Sequence, residues 1–127
     1  MKDIIEYWFA TADHDRETME VLFKNGRYSD ALFFGHILLE KALKGLVVQN
    51  TGEHAPYVHN LLQLQELSGI IFMNEEKDLM DEINDFNIRA RYPEYRLEFY
   101  KKSNKEFTET YMIKINQLYK KLCSERK

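Results

Sequence analysis

The stretch from Arg89 to Lys105 concentrates the side chains best suited to hold a phosphate ester. Six bases, Arg89, Arg91, Arg96, Lys101, Lys102 and Lys105, stand against two acids, Glu94 and Glu98, in a chain whose formal charge is −3. Tyr92, Tyr95, Phe99 and Tyr100 alternate with them. Guanidinium forks match phosphate oxygens in pairs, and flat rings stack on bases. Such a segment could seat a nucleotide or a single strand. The competing reading is a solvated loop whose rings pack onto the rest of the domain. A protein that binds nucleic acid over its whole surface is basic, so in this acidic chain any such role must rest on a local patch.

A second set of polar residues recurs every four positions. His36, Glu40 and Lys44 stack on one face of an otherwise apolar helix, at the spacing that lets neighbours hydrogen-bond. They are either ordinary support along a solvent-facing strip or a polar strip that faces a cleft or a second subunit. His59 precedes an apolar run and either caps or packs a loop or belongs to a site. His54 lies in the same loop, and His14 sits in the polar run ADHDRE. These residues do not make a metal centre. Helical di-metal sites need Glu-x-x-His pairs, and none occurs. No zinc-type cysteine set, glycine-rich phosphate loop or Gly-x-Ser-x-Gly elbow is present either.

Five helices are expected to position these groups. The first spans about Lys2 to Lys24, with Ile5, Trp8, Phe9, Ala12, Met19, Leu22 and Phe23 on one face, and Asn25-Gly26 ends it. The second is capped by Ser29 or Asp30 and runs to about Asn50. It is apolar almost all round, which marks a central helix buried by several neighbours. A loop containing Pro56 leads to a short third helix from His59 to Ser68. Asn74 caps a fourth, from Glu75 to Ile88, whose inner face is Leu79, Met80, Ile83 and Phe86. Pro93 forbids one continuous helix across Arg89 to Lys102, so that stretch is expected to be non-helical. Ser103-x-x-Glu106 then opens the last helix as a capping box, followed by a stripe of Phe107, Tyr111, Ile115, Leu118 and Leu122. Short connections favour antiparallel neighbours. The expected architecture is an all-α, up-down four-helix bundle with an additional short helix across one end.

The bulk properties agree with one domain over residues 1–127. The chain is 44% hydrophobic and 31% charged, with Gly 5 and Pro 2, few breakers for a many-turned β fold. Cys123 is the only cysteine, so no internal disulfide can form, which fits a reducing, cytoplasmic setting. The N-terminal MKDIIEYWFATADHD has neither an unbroken apolar stretch nor a small-residue cleavage site, so it does not read as a signal peptide. The longest apolar region, Ala31 to Leu39, is far short of the about 20 residues a membrane span needs.

In order along the chain, these pieces resemble the HEPN domain family. Trp8, Ala12 and Asp15 resemble its opening. GRYSDALFFGHILLEKALKGLVV resembles its second helix, with Glu40, Lys41, Ala42, Leu43 and Lys44 in the family's EKALK pattern. VHNLLQL resembles the segment after its central loop, with His59 at the family's histidine, and RARYPEY resembles the Arg-Tyr-Pro segment of a prokaryotic subgroup. The resemblance implies an all-α bundle, usually a homodimer, often with helices flanking a cleft. It also implies a possible partner, since many members are encoded beside or fused to a small nucleotidyltransferase and act as toxin–antitoxin pairs.

Active members of the family are metal-independent RNases whose motif is an arginine followed four to six residues later by histidine. Histidine moves the proton of the RNA 2′-hydroxyl, and arginine stabilises the charge on phosphorus. Here the positions after Arg89 are Pro93, Glu94 and Tyr95, and those after Arg91 are Tyr95, Arg96 and Leu97; no histidine follows His59. The expectation is therefore a binding module that needs no cofactor or metal. Arg89, Arg91 and Arg96 would contact phosphate, Tyr92 would stack or donate a hydrogen bond, and Pro93 would fix the backbone. Glu40 and Lys44 would line the same cleft and orient the arginines. Two alternatives stay open: an RNase using a displaced His36 or His59, and a helical dimer that only binds protein.

Overall fold

A computed structural model describes residues 1–127. It contains six helices and no strands: α1 (Lys2–Lys24), α2 (Tyr28–Thr51), α3 (Leu61–Ser68), α4 (Asn74–Arg91), α5 (Pro93–Lys102) and α6 (Lys105–Ser124). The four long helices α1, α2, α4 and α6 form the bundle, and α3 lies between α2 and α4. The all-helical class and the four-plus-short-helix architecture match the sequence expectation. The expected non-helical stretch does not, because α4 runs on through Arg91 and α5 starts directly at Pro93.

The central position of α2 follows from its composition. It packs against α1, α3, α4 and α6 and touches α5. Leu32, Leu38, Leu39, Leu43 and Leu46 are fully buried on it, and each such side chain removed from water contributes about 1.5–3 kcal/mol. Two glycines let neighbours come close. A Cβ at Gly45 would lie 2.7 Å from Phe9 on α1, and one at Gly35 would lie 2.6 Å from Ile115 on α6.

Helix ends explain the remaining differences. α2 begins at Tyr28 rather than at a Ser29 or Asp30 cap; Asp30 sits inside the first turn, where its carboxylate accepts from Arg27 Nε at 3.1 Å. α3 begins at Leu61, not His59. Asn60 caps it by accepting from the Leu62 and Gln63 N–H groups. Met73, not Asn74, precedes α4, and Glu76 reaches back to the Met73 N–H at 2.8 Å. α6 is capped by Asn104, which accepts from Phe107 N at 2.8 Å, while the Ser103 hydroxyl donates to Phe99 O at the end of α5. The two competing short polar side chains thus divide the work: one closes the preceding helix, the other opens the next.

Candidate functional site

The residues singled out for chemistry fall into two connected regions. The first is a chain of polar contacts inside the bundle. Helical spacing on α2 places His36, Glu40 and Lys44 on one side, and Lys44 Nζ donates to Glu40 Oε2 at 3.0 Å. This strip is not solvent-facing: the Lys44 side chain is 7% exposed and that of Glu40 12%. The segment before α3 covers it. His59, 61% exposed, meets Glu40 Oε1 through Nδ1 at 3.0 Å. Lys44 Nζ also lies 5.5 Å from the centroid of the Trp8 ring on α1, so the ammonium has a carboxylate on one side and an aromatic face on the other.

His36 carries the chain on to α4. It is 1% exposed. Its Nε2 donates to the His59 carbonyl at 2.9 Å, and its Nδ1 lies 3.2 Å from Asn87 Nδ2. Burial pushes its pKa below the ordinary imidazole value, against the pull of the Glu40 carboxylate. The ring is therefore neutral near pH 7. Asn87 Oδ1 in turn faces Arg91 Nη1 at 3.4 Å, a long contact by hydrogen-bond standards. The His59 segment is held in register by Asn84, which accepts from Leu61 N at 2.9 Å and donates to Asn60 Oδ1 at 3.1 Å.

The second region is the elbow between α4 and α5. Tyr92 has extended backbone, φ −93 and ψ 127, as expected for a residue before proline. Pro93 occupies the first turn of α5, where a missing N–H leaves no partner unsatisfied. The elbow is sealed by Tyr92 O, which accepts from the N–H groups of Tyr95 and Arg96, and by Arg96 Nε, which donates to Ala90 O at 3.3 Å. α5 buries only Phe99. Arg91, Tyr92, Tyr95, Arg96, Tyr100, Lys101 and Lys102 are all exposed. Pro93, Arg96, Leu97 and Tyr100 line one wall of a concavity of about 470 Å³, and Arg27, Tyr28, Ser29 and Asp30 at the start of α2 line the other. Two guanidinium groups and two phenol rings thus face a common space.

The expected site residues are placed unequally. Arg91, Tyr92, Pro93 and Arg96 all lie at the elbow, but of these only Pro93 and Arg96 line the concavity; Arg91 is joined through Asn87 and His36 to the cluster of Glu40, Lys44 and His59. Arg89 is not gathered there. Its Nε is 2.7 Å from Asp85 Oδ2, one turn back on α4, so its charge is already matched. Within that cluster Glu40 and Lys44 lie beneath the surface rather than lining an open cleft with the arginines. Asp15 and Lys41 pair at 2.7 Å and tie α1 to α2. Asn87 was missed by sequence reasoning. Its signal was a polar residue one turn beyond Ile83 on the apolar face of α4.

The HEPN domain family model matches residues 5–124. The chain therefore belongs to the HEPN family. It also resembles a solved structure, the crystal structure of TT1696 from Thermus thermophilus. The TM-score is 0.80 at 17% identity, covering 96% of this chain and 98% of that one, a likeness of fold. No curated protein matches the chain. No helix is long and apolar enough to cross a membrane.

Proposed function

We propose that this HEPN domain is a binding module for a phosphate-bearing ligand, a nucleotide or single-stranded RNA, gripped at the α4–α5 elbow. Arg91 and Arg96 contact phosphate, Tyr92 and Tyr100 offer ring faces, and Pro93 sets the bend. One observation carries the reading: the rings of this segment do not pack onto the bundle. Only Phe99 does, and Tyr92, Tyr95 and Tyr100 stay exposed among the cations. That is the arrangement of a stacking platform beside phosphate-binding charge. The family further suggests a homodimer and a small nucleotidyltransferase as protein partner in a toxin–antitoxin-like pair, which co-purification with the product of a neighbouring gene would test.

The binding test is a titration of labelled mononucleotides and short single-stranded RNA against three proteins. A hydrogen bond to a charged group is worth about 1.5–3 kcal/mol, so Arg91→Ala/Arg96→Ala should lose at least tenfold in affinity. Arg89→Ala, whose charge Asp85 matches, should lose far less. Equal affinity in all three, or no binding by the unaltered chain, removes the proposal.

A second reading rests on His59. Its exposed ring is held by Glu40 through Nδ1, leaving Nε2 free, which is the carboxylate–imidazole arrangement of a general base. His36 cannot serve, since it is buried with both nitrogens engaged. RNA cleavage in the presence of EDTA that disappears in His59→Ala would favour an RNase with a displaced histidine. Absence of cleavage by the unaltered chain would remove it.

A further inference from the structure

His36 lies where α2, the segment before α3 and α4 meet, and the polarity of its contacts is determined step by step. A carbonyl oxygen only accepts, so Nε2, 2.9 Å from His59 O, must carry the proton. The neutral ring then has a bare lone pair on Nδ1. The group 3.2 Å from that lone pair must be a donor, which places the Asn87 amide nitrogen there. An amide turned this way presents its oxygen on the opposite side, where Arg91 Nη1 stands. The carbonyl of His59 therefore dictates, through two buried side chains, that Arg91 meets an acceptor.

Protonation of His36 reverses the chain. Nδ1–H and the Asn87 NH2 group would then be two donors face to face. Either the amide turns over and presents its NH2 to the guanidinium, or Nδ1–H swings to Glu40 Oε1, now 3.8 Å away, and Asn87 loses its anchor. Both outcomes take the acceptor from Arg91. The groups facing the ring are Glu40 on its own helix with Lys44 behind it, His59 from the connector, and Asn84, Asn87 and, beyond Asn87, Arg91 from α4. Burial opposes the proton most, and the His59 imidazole opposes it too; the Glu40 carboxylate, the His59 carbonyl and the Asn84 side chain favour it.

We propose that His36 is a positioning residue for Arg91: through Asn87, its protonation state decides whether the guanidinium at the elbow is held or released. The consequence for the ligand rests on the binding proposed above, whereas the relay itself can be read in the chain alone. The Asn87–Arg91 contact is long, 3.4 Å, so the ordinary worth of a hydrogen bond, a factor of about two to ten, applies, and the part of RNA affinity that depends on Arg91 should fall by that factor as His36 takes up its proton.

The test is nitrogen-15 NMR of the full chain from pH 8 to pH 5, following the His36 ring and the Arg91 guanidinium, with affinity for short single-stranded RNA measured over the same range. In the unaltered chain His36 should show the Nε2–H tautomer at pH 8, and the Arg91 signals should move with the His36 midpoint. Asn87→Asp presents a carboxylate oxygen to Arg91 whichever way the side chain turns, and its other oxygen faces Nδ1 and favours the doubly protonated ring, so the His36 midpoint should rise while the Arg91 signals stay still across it. His36→Gln, which keeps an amide donor for the His59 carbonyl but cannot titrate, should also leave them still. An Nδ1–H tautomer at pH 8, a ring that never titrates before acid unfolding, or Arg91 signals that stay flat across the His36 transition would overturn the proposal; the unaltered chain alone decides these three. Arg91 signals that follow His36 in a chain that binds RNA at no pH would sustain the relay and remove the binding reading.

Discussion

Removing the charge of Glu40 should destabilise the domain far more than breaking a surface ion pair does. Glu40 and Lys44 are 12% and 7% exposed and meet at 3.0 Å, with His59 as the carboxylate's second partner. Glu40→Gln keeps the shape but replaces the carboxylate by a neutral amide, so the Lys44 ammonium stays beneath the surface, beside the Trp8 ring, with no counter-charge. Breaking one side of a buried pair costs about 3–5 kcal/mol, and the slight exposure here favours the lower end. Lys44→Met should cost less, because the His59 ring still donates to Glu40 Oε1 through Nδ1. The double variant, Glu40→Gln/Lys44→Met, removes both charges, and a neutral replacement of a buried pair is often close to neutral in stability. The two single costs should therefore exceed the cost of the double by about 2–3 kcal/mol. Urea denaturation followed by circular dichroism measures all four proteins, with the slope of the transition required to stay constant. If Glu40→Gln costs less than about 1 kcal/mol, the worth of an exposed pair, or if the costs simply add, the reasoning from burial is wrong.

Three other expectations follow from the same geometry. Gly45→Ala gains about 1 kcal/mol of helix propensity, but its methyl would meet Phe9 at 2.7 Å and Trp8 at 3.2 Å; overpacking costs about 1–3 kcal/mol, so the melting temperature should fall, and a rise would contradict the close approach of α1 and α2. Asn104→Ala should cost about 1 kcal/mol as the loss of an N-cap, without the gain from the capping box that the Ser103 and Glu106 spacing suggests; a Ser103→Ala variant that frays the start of α6 in hydrogen exchange would reverse that assignment. Because His36 holds its proton less well when folded than when unfolded, the unfolded chain binds more protons just below pH 6.5, and stability should fall as pH drops through that window. His36→Gln should flatten the fall, which is separable from the loss below pH 4.5 expected of Glu76. Its carboxyl is partly buried, yet Lys121 and the Met73 N–H hold its pKa below the ordinary value.

The long helices were legible because their apolar residues recur at helical steps, and α2 announced its central place by being apolar on nearly every side. The elbow was not. Pro93 was read as an interruption of structure, yet at the first turn of a helix it is tolerated without loss, so two helices meet there with a single extended residue between them. α5 carries no stripe to read, since Phe99 is its only buried residue. Spacing revealed that His36, Glu40 and Lys44 share a side. It could not reveal that the side is covered, because the cover comes from His59 and Asn87, which are distant in sequence. The polar pair Asn84 and Asn87 on the inner face of α4 was the available hint. The pairing of Arg89 with Asp85, by contrast, was readable as an ordinary i, i+4 pair.

The central claim is that guanidinium groups at the α4–α5 elbow take up phosphate, and the salt dependence of single-stranded RNA binding tests it most directly. Each phosphate contact contributes about −0.7 to the slope of log K against log salt for single strands. Losing Arg91 and Arg96 together should make that slope shallower by about 1.4 and weaken binding at every salt concentration. A slope and an affinity that survive Arg91→Ala/Arg96→Ala unchanged would place the ligand elsewhere on the protein.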